Sequence, residues 1–250
     1  MAVTNPLFAS PGRFQSLGLH RCLVLLLFFA WAGRASAQEH YFVLIFGSQR
    51  EGPSPNYSHT WATFVKATQT QSRGCILEAH TISWLPENGK IRVAALLPEA
   101  GRNFDLISTL NWARDTGQHI SLWGPYQITC ELFERALAQK RLLESGAVRY
   151  KAIDTGRRSD RVSNCIHAVA GVTDGNRLHV TTLRCGETAS ALVADEMEPW
   201  FINSGQIHGW VASSLGVGCY CVVRRNLELS RRSCFRRWSF CINSSASCVR

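Results

Sequence analysis

Ser163-Asn164-Cys165-Ile166-His167 is the stretch on which the reading of this chain turns. A strand-like run gives way there to a helix-like one, and Ser163 or Asn164 can cap the helix that follows. Cys165 then falls in the first helical turn, where unpaired backbone N–H groups favour a thiolate and can receive a developing oxyanion. An imidazole nearby would take the thiol proton and later protonate a leaving group. A third polar side chain would hold that imidazole in the useful tautomer. His167 is two residues along the same helix and does not share a face with Cys165. The better base is a histidine from a neighbouring strand, and His59 and His80 are the candidates.

Asn164-Cys165-Ile166-His167, with histidines on earlier strands, resembles the Asn-Cys-x-His signature of permuted papain-like proteins. That superfamily includes lecithin:retinol acyltransferase-like enzymes and bacterial cell-envelope hydrolases. Its histidine-before-cysteine order is the reverse of ordinary papain-like enzymes. The resemblance covers residues 57–172 and rests on a four-residue motif. It implies a single α+β domain, a mainly antiparallel sheet with packed helices. It further implies Cys165 as nucleophile, His59 as base and His80 as the residue that orients the base.

Working outward, residues 38–221 suit one domain with a sizeable core. His40-Tyr-Phe-Val-Leu-Ile-Phe46 is the pattern of a strand buried on both faces. Tyr57–Ala67 and Leu77–Leu85 are further strands, the latter with Glu78, His80, Ile82 and Trp84 on one face. Ile91–Leu97 is a fourth. Asn103 is the expected cap of a helix over Phe104–Arg114, and Thr129 of a helix over Cys130–Glu144. Between them, His119–Ile128 reads as a strand bent or ended by Gly124-Pro125. Ala147–Ile153 returns to strand, Asp154–Asp160 is a polar loop, and Thr188–Phe201 is the last long helix. No repeat and no recurring βαβ pattern is present.

The two ends have their own character. Residues 1–37 read as a signal peptide: Arg13, His20 and Arg21 precede the apolar run Cys22–Ala32, and Ala35-Ser36-Ala37 offers a cleavage site. An uncleaved membrane anchor is the alternative, although a spanning helix needs about 20 apolar residues. The expectation is therefore an exported protein, secreted or periplasmic and associated with the cell envelope, with no transmembrane span after cleavage. Residues 222–250 hold seven arginines, six serines and three cysteines against one acidic residue, Glu228. Without a sustained apolar period, this tail is expected outside the core, disordered or non-native. A cationic tail that touches anionic polymers or lipid is the alternative.

These ends carry the whole net charge of +9, so the body between them is neutral. A nucleic-acid partner, which needs a basic patch on the folded domain, is not expected. Nine cysteines remain after residue 37, and in an oxidising compartment each is a disulfide candidate. Cys219-Tyr220-Cys221 is too tight for a zinc knuckle, even with His208 near in sequence. Asp195, Glu196 and Glu198 read as a solvated helix face. Motifs for serine hydrolases, zincins and nucleotide-binding proteins are absent.

The sequence thus points to a cysteine-dependent hydrolase or acyltransferase acting on an amide or ester. The sequence does not choose among a cell-wall peptide, another amide and a lipid ester as substrate, and no metal or organic cofactor is implied. The alternative is a non-catalytic interaction domain with a structural Cys165, in which His59 and His80 are ordinary strand histidines.

Overall fold

The apolar run at His40–Phe46 forms the middle of strand β1 (Glu39–Gln49). Side chains leave a strand on alternating faces, and here both faces are covered. Phe42, Leu44 and Phe46 enter one apolar cluster, while Val43 and Ile45 enter another. Each such side chain, fully buried, stabilises the fold by roughly 1.5–3 kcal/mol. The computed structural model describes residues 38–52, 55–70, 74–154, 161–173 and 186–227. The signal-peptide expectation at 1–37, the loop at 155–160, Cys185 and most of the basic tail lie outside these residues.

The described elements form an α+β fold with two sheets. In the larger sheet β1 is flanked by β2 (Ser58–Gln69) and β6 (His119–Ile128), with β3 (Cys75–Ile82) and β9 (Val222–Arg225) at its edges. Its pairings are antiparallel except for β6 with β9. The smaller sheet runs β4 (Trp84–Pro86), β5 (Glu99–Asn103), β7 (Arg149–Tyr150), β8 (Val162–Ser163), and only β7 with β8 is parallel.

Helices cover both faces of the larger sheet. Helix α1 (Leu106–Asp115) sends Leu106, Leu110 and Ala113 into the cluster that holds Phe46 and Trp61. The other cluster receives Leu132 and Phe133 from α2 (Cys130–Glu144), and Ala168 and Val169 from α3 (Cys165–Ala170). Helix α4 (Gly186–Met197) adds Ala191 and Val193 there, while α5 (Gly209–Ser214) returns Val211 and Ala212 to the Phe46 side. Among the described residues, no helix is long and apolar enough to cross a membrane.

Several expectations shift. Ile91–Leu97 is not a strand: Leu96 and Leu97 are exposed, and the partner of β4 is β5. Gly101 makes that pairing feasible, because a Cβ there would fall 2.1 Å from the Trp84 ring. Asn103 does not cap α1. Its amide carbonyl accepts from Ser83 N–H and its amide group donates to Thr81 O, both at 2.8 Å, leaving Asp105 to cap the helix. Strand β6 runs through Gly124-Pro125 because Gly124 adopts φ +86° at an irregularity in the β1 pairing. The expected tail boundary moves as well. Val222–Arg225 joins the sheet, and Leu227 is buried in the core.

Candidate active site

Asn164 settles which residue caps α3: its side-chain oxygen accepts from the His167 backbone N–H at 2.8 Å. Cys165 is therefore the first helical residue, 7% exposed, a free thiol rather than half of a disulfide. Its sulfur receives the backbone N–H of Thr60 on β2, together with those of Cys165 and Ile166. This contact is possible because β3 stops pairing with β2 at Ala62↔Ile82, so the first residues of β2 extend beyond the edge strand. The three amides favour a thiolate, but burial outweighs them and pushes the thiol up to about 11. The helix start by itself does not make Cys165 an ionised nucleophile at neutral pH.

His59 immediately precedes Thr60, so the sulfur lies beside the peptide that joins them. The His59 ring is 1% exposed. It stacks on Trp61 with centroids 5.3 Å apart and meets the edge of Trp112 from α1 at 5.5 Å. Burial with no compensating charge lowers its pKa to about 3, so the imidazole is neutral at physiological pH. Nε2 is 2.9 Å from Ser83 Oγ, and Ser83 Oγ in turn accepts from Thr109 Oγ1 at 2.8 Å. Nδ1 is buried without a hydrogen-bond partner among the described residues. If the serine oxygen accepts Nε2–H, Nδ1 carries the lone pair, which is the tautomer a general base needs.

His80 is not part of this arrangement. It pairs across the strands with Phe64, five residues along β2 from His59 and on the opposite face. At ~3.3 Å per residue the two histidines are separated by roughly 16 Å of strand. His80 instead bonds Glu78 Oε1 at 2.7 Å and meets the edge of Phe133. The position expected for His80 is occupied by Ser83. Extending the register Thr63↔Thr81 by two residues sets Ser83 opposite Trp61, diagonal to His59. Only that register could have revealed Ser83, and register is not written in the run Leu77–Leu85.

A second polar group adjoins the cysteine turn. Asp154, nearly buried, accepts from the backbone N–H of Asn164 at 3.3 Å and from His167 Nδ1 at 2.5 Å. Tyr150, on β7, is buried and held neutral far above its ordinary range by that burial, with the Cys165 and Asp154 charges adding to the effect. Sequence reading left Asp154 in a polar loop and gave His167 no partner. No group of three or more His, Cys, Asp or Glu suited to a metal ion occurs among the described residues. Near the zinc-knuckle spacing, Cys219 is a free, exposed thiol and Cys221 is disulfide-bonded.

Compared with known proteins, the chain matches no family model, no curated protein and no solved structure.

Proposed function

We propose that this protein is a cysteine-dependent hydrolase or acyltransferase of the permuted papain-like kind, acting on an amide or ester. The supporting observation is the meeting of the Cys165 sulfur with the Thr60 N–H, next in sequence to a buried His59 whose Nδ1 has no partner among the described residues. An unpartnered buried nitrogen costs about 1–3 kcal/mol, and such a group calls for an explanation. We take proton transfer with the Cys165 thiol as that explanation.

In this reading His59 and Cys165 rest as a neutral pair. His59 takes the thiol proton as the sulfur attacks the substrate carbonyl. The N–H groups of Thr60, Cys165 and Ile166 stabilise the negative charge on sulfur, and Ser83 holds the ring at Nε2. The protonated His59 then gives its proton to the departing amine or alcohol, leaving an acyl group on Cys165. Exported action on a cell-wall peptide or lipid ester belongs to the same proposal.

The test is hydrolysis of p-nitrophenyl acetate by the purified protein, Cys165→Ser and His59→Ala. Loss of about a hundredfold or more in both variants supports the reading. Equal rates in all three proteins overturn it. The second reading, a non-catalytic domain with a structural thiol, is favoured by the burial of Cys165 and by its raised pKa. That reading then takes its place.

A further inference from the structure

Leu96 and Leu97, in the loop between β4 and β5, are 87% and 79% exposed, more than any other large apolar side chain among the described residues. Single exposed leucines are ordinary, but an adjacent pair this far out of the core forms a small apolar patch of its own. We propose that this loop docks the protein on an anionic lipid surface. The two leucines enter the headgroup region, and the basic residues beside them face the lipid charge. The inference is independent of the cysteine chemistry.

Three observations carry it. First, the loop is held in place on both sides of the leucines. Ile91 is buried, the Val93 N–H donates to Asn56 Oδ1 at 3.2 Å, and the Ala95 N–H donates to Arg92 O at 3.2 Å. Behind the leucines, Arg149 donates to Pro98 O from Nε at 3.3 Å and from Nη2 at 3.1 Å. A loop already ordered in this way gives up little freedom on docking.

Second, the charges around the leucines complement an anionic surface. Lys90 and Arg92 precede them and Arg149 reaches the residue that follows. The carboxylate on this stretch is Glu99, which Arg92 already holds. Lys90 and Arg149 have no carboxylate partner among the described residues. Farther along the strands, Glu87 and Arg102 offset one another.

Third, the patch is the wrong size for a protein partner. A stable protein interface buries ~800 Å² on each side, far beyond what two leucines supply. Interfacial lipid binding needs only a small inserted apolar area together with attraction to anionic headgroups. The loop is also braced by elements that frame His59. Gly89 O accepts from Trp112 Nε1 at 3.0 Å, the Trp112 ring meets His59, and Asn56 stands three residues before it.

The test follows the full chain on vesicles by sedimentation and by hydrogen–deuterium exchange, read by peptide mass spectrometry. The vesicles are phosphatidylcholine alone, or phosphatidylcholine with an equal amount of phosphatidylglycerol. The expected result is binding to the phosphatidylglycerol vesicles that weakens with salt, and slowed exchange in residues 93–98. Leu96→Ser combined with Leu97→Ser should weaken binding about tenfold or more, and Lys90→Glu should weaken it in the same direction. Thermal unfolding of the double variant should match the wild type, because neither leucine packs in the core.

The arginines beyond Leu227 offer a rival electrostatic contact, which the exchange data separate by peptide. Slowed exchange confined to peptides beyond residue 227 overturns the inference. Binding left unchanged by the double variant, or no binding to either vesicle, overturns it as well. So does a dimer seen by sedimentation velocity without lipid and lost in the double variant, since a second copy would then cover the leucines.

Discussion

Ser83 Oγ lies 2.9 Å from His59 Nε2, bridging the junction of β3 and β4 to the strand that bears the histidine. The same oxygen accepts from Thr109 on α1, so a sheet edge and a helix converge on one imidazole nitrogen.

Ser83→Ala removes the one hydrogen bond that this buried ring makes among the described residues, and both its nitrogens are then unsatisfied there. The expected cost is about 1–3 kcal/mol, read from urea unfolding. Esterase activity should fall with it. His80→Ala is the contrasting variant: its partner Glu78 is largely exposed, so the loss should be at most about 1 kcal/mol with activity retained. Equal effects of the two substitutions on activity would return His80 to the site.

The neutral His59 makes the fold acid-sensitive. Its pKa drops from an ordinary 6.5 to about 3, so between these values the unfolded chain binds a proton that the folded chain refuses. This contribution is fully present above pH 6.5 and is lost as the pH falls toward 3, on the order of 5 kcal/mol in total. Urea midpoints recorded across that range should decline in the wild type and flatten in His59→Gln. A parallel decline in both proteins would assign the acid sensitivity elsewhere.

Cys165 should alkylate slowly at neutral pH. Its thiol is raised from 9.0 to about 11, so iodoacetamide labelling should climb with pH through that range instead of levelling near pH 6. The same shift removes stability as the pH rises from 9 to 11, about 3 kcal/mol, because the unfolded thiol ionises first. A labelling plateau near neutrality would reveal an ionised sulfur and a more open site.

Gly186, the first residue of α4, is pressed against the backbone of the two central strands. A Cβ there would fall 2.1 Å from the Ser48 carbonyl oxygen and 2.9 Å from that of His59. Neither atom is the end of a flexible side chain. Gly186→Ala should therefore cost at least the upper part of the ~1–3 kcal/mol typical of overpacking. Thermal unfolding measures it, and a neutral substitution would mean that α4 can move off the strands freely.

The double burial of β1 was legible because Phe42 to Phe46 is apolar at every position, which only a strand covered on both sides explains. Helix α2 was legible from its cap and its composition. The α3 turn was legible too, because Asn164 carries its own capping chemistry. What could not be read depends on pairing. The separation of His80 from His59, the arrival of Ser83 and the contact of Asp154 with His167 follow from strand register and chain return, which local sequence leaves open. The tail misled for another reason. The arginines at 224 and 225 lie in an edge strand, where charged side chains discourage further pairing.

That strand has a practical consequence for anyone producing the protein. Trimming the chain at Cys221 to discard its basic end would strip β6 of its outer neighbour and take Leu227 out of the core. The sheet would then present the bare edge of β6, with backbone groups open to pairing with another molecule. A shortened protein must therefore run past Leu227, or it should be recovered as aggregate.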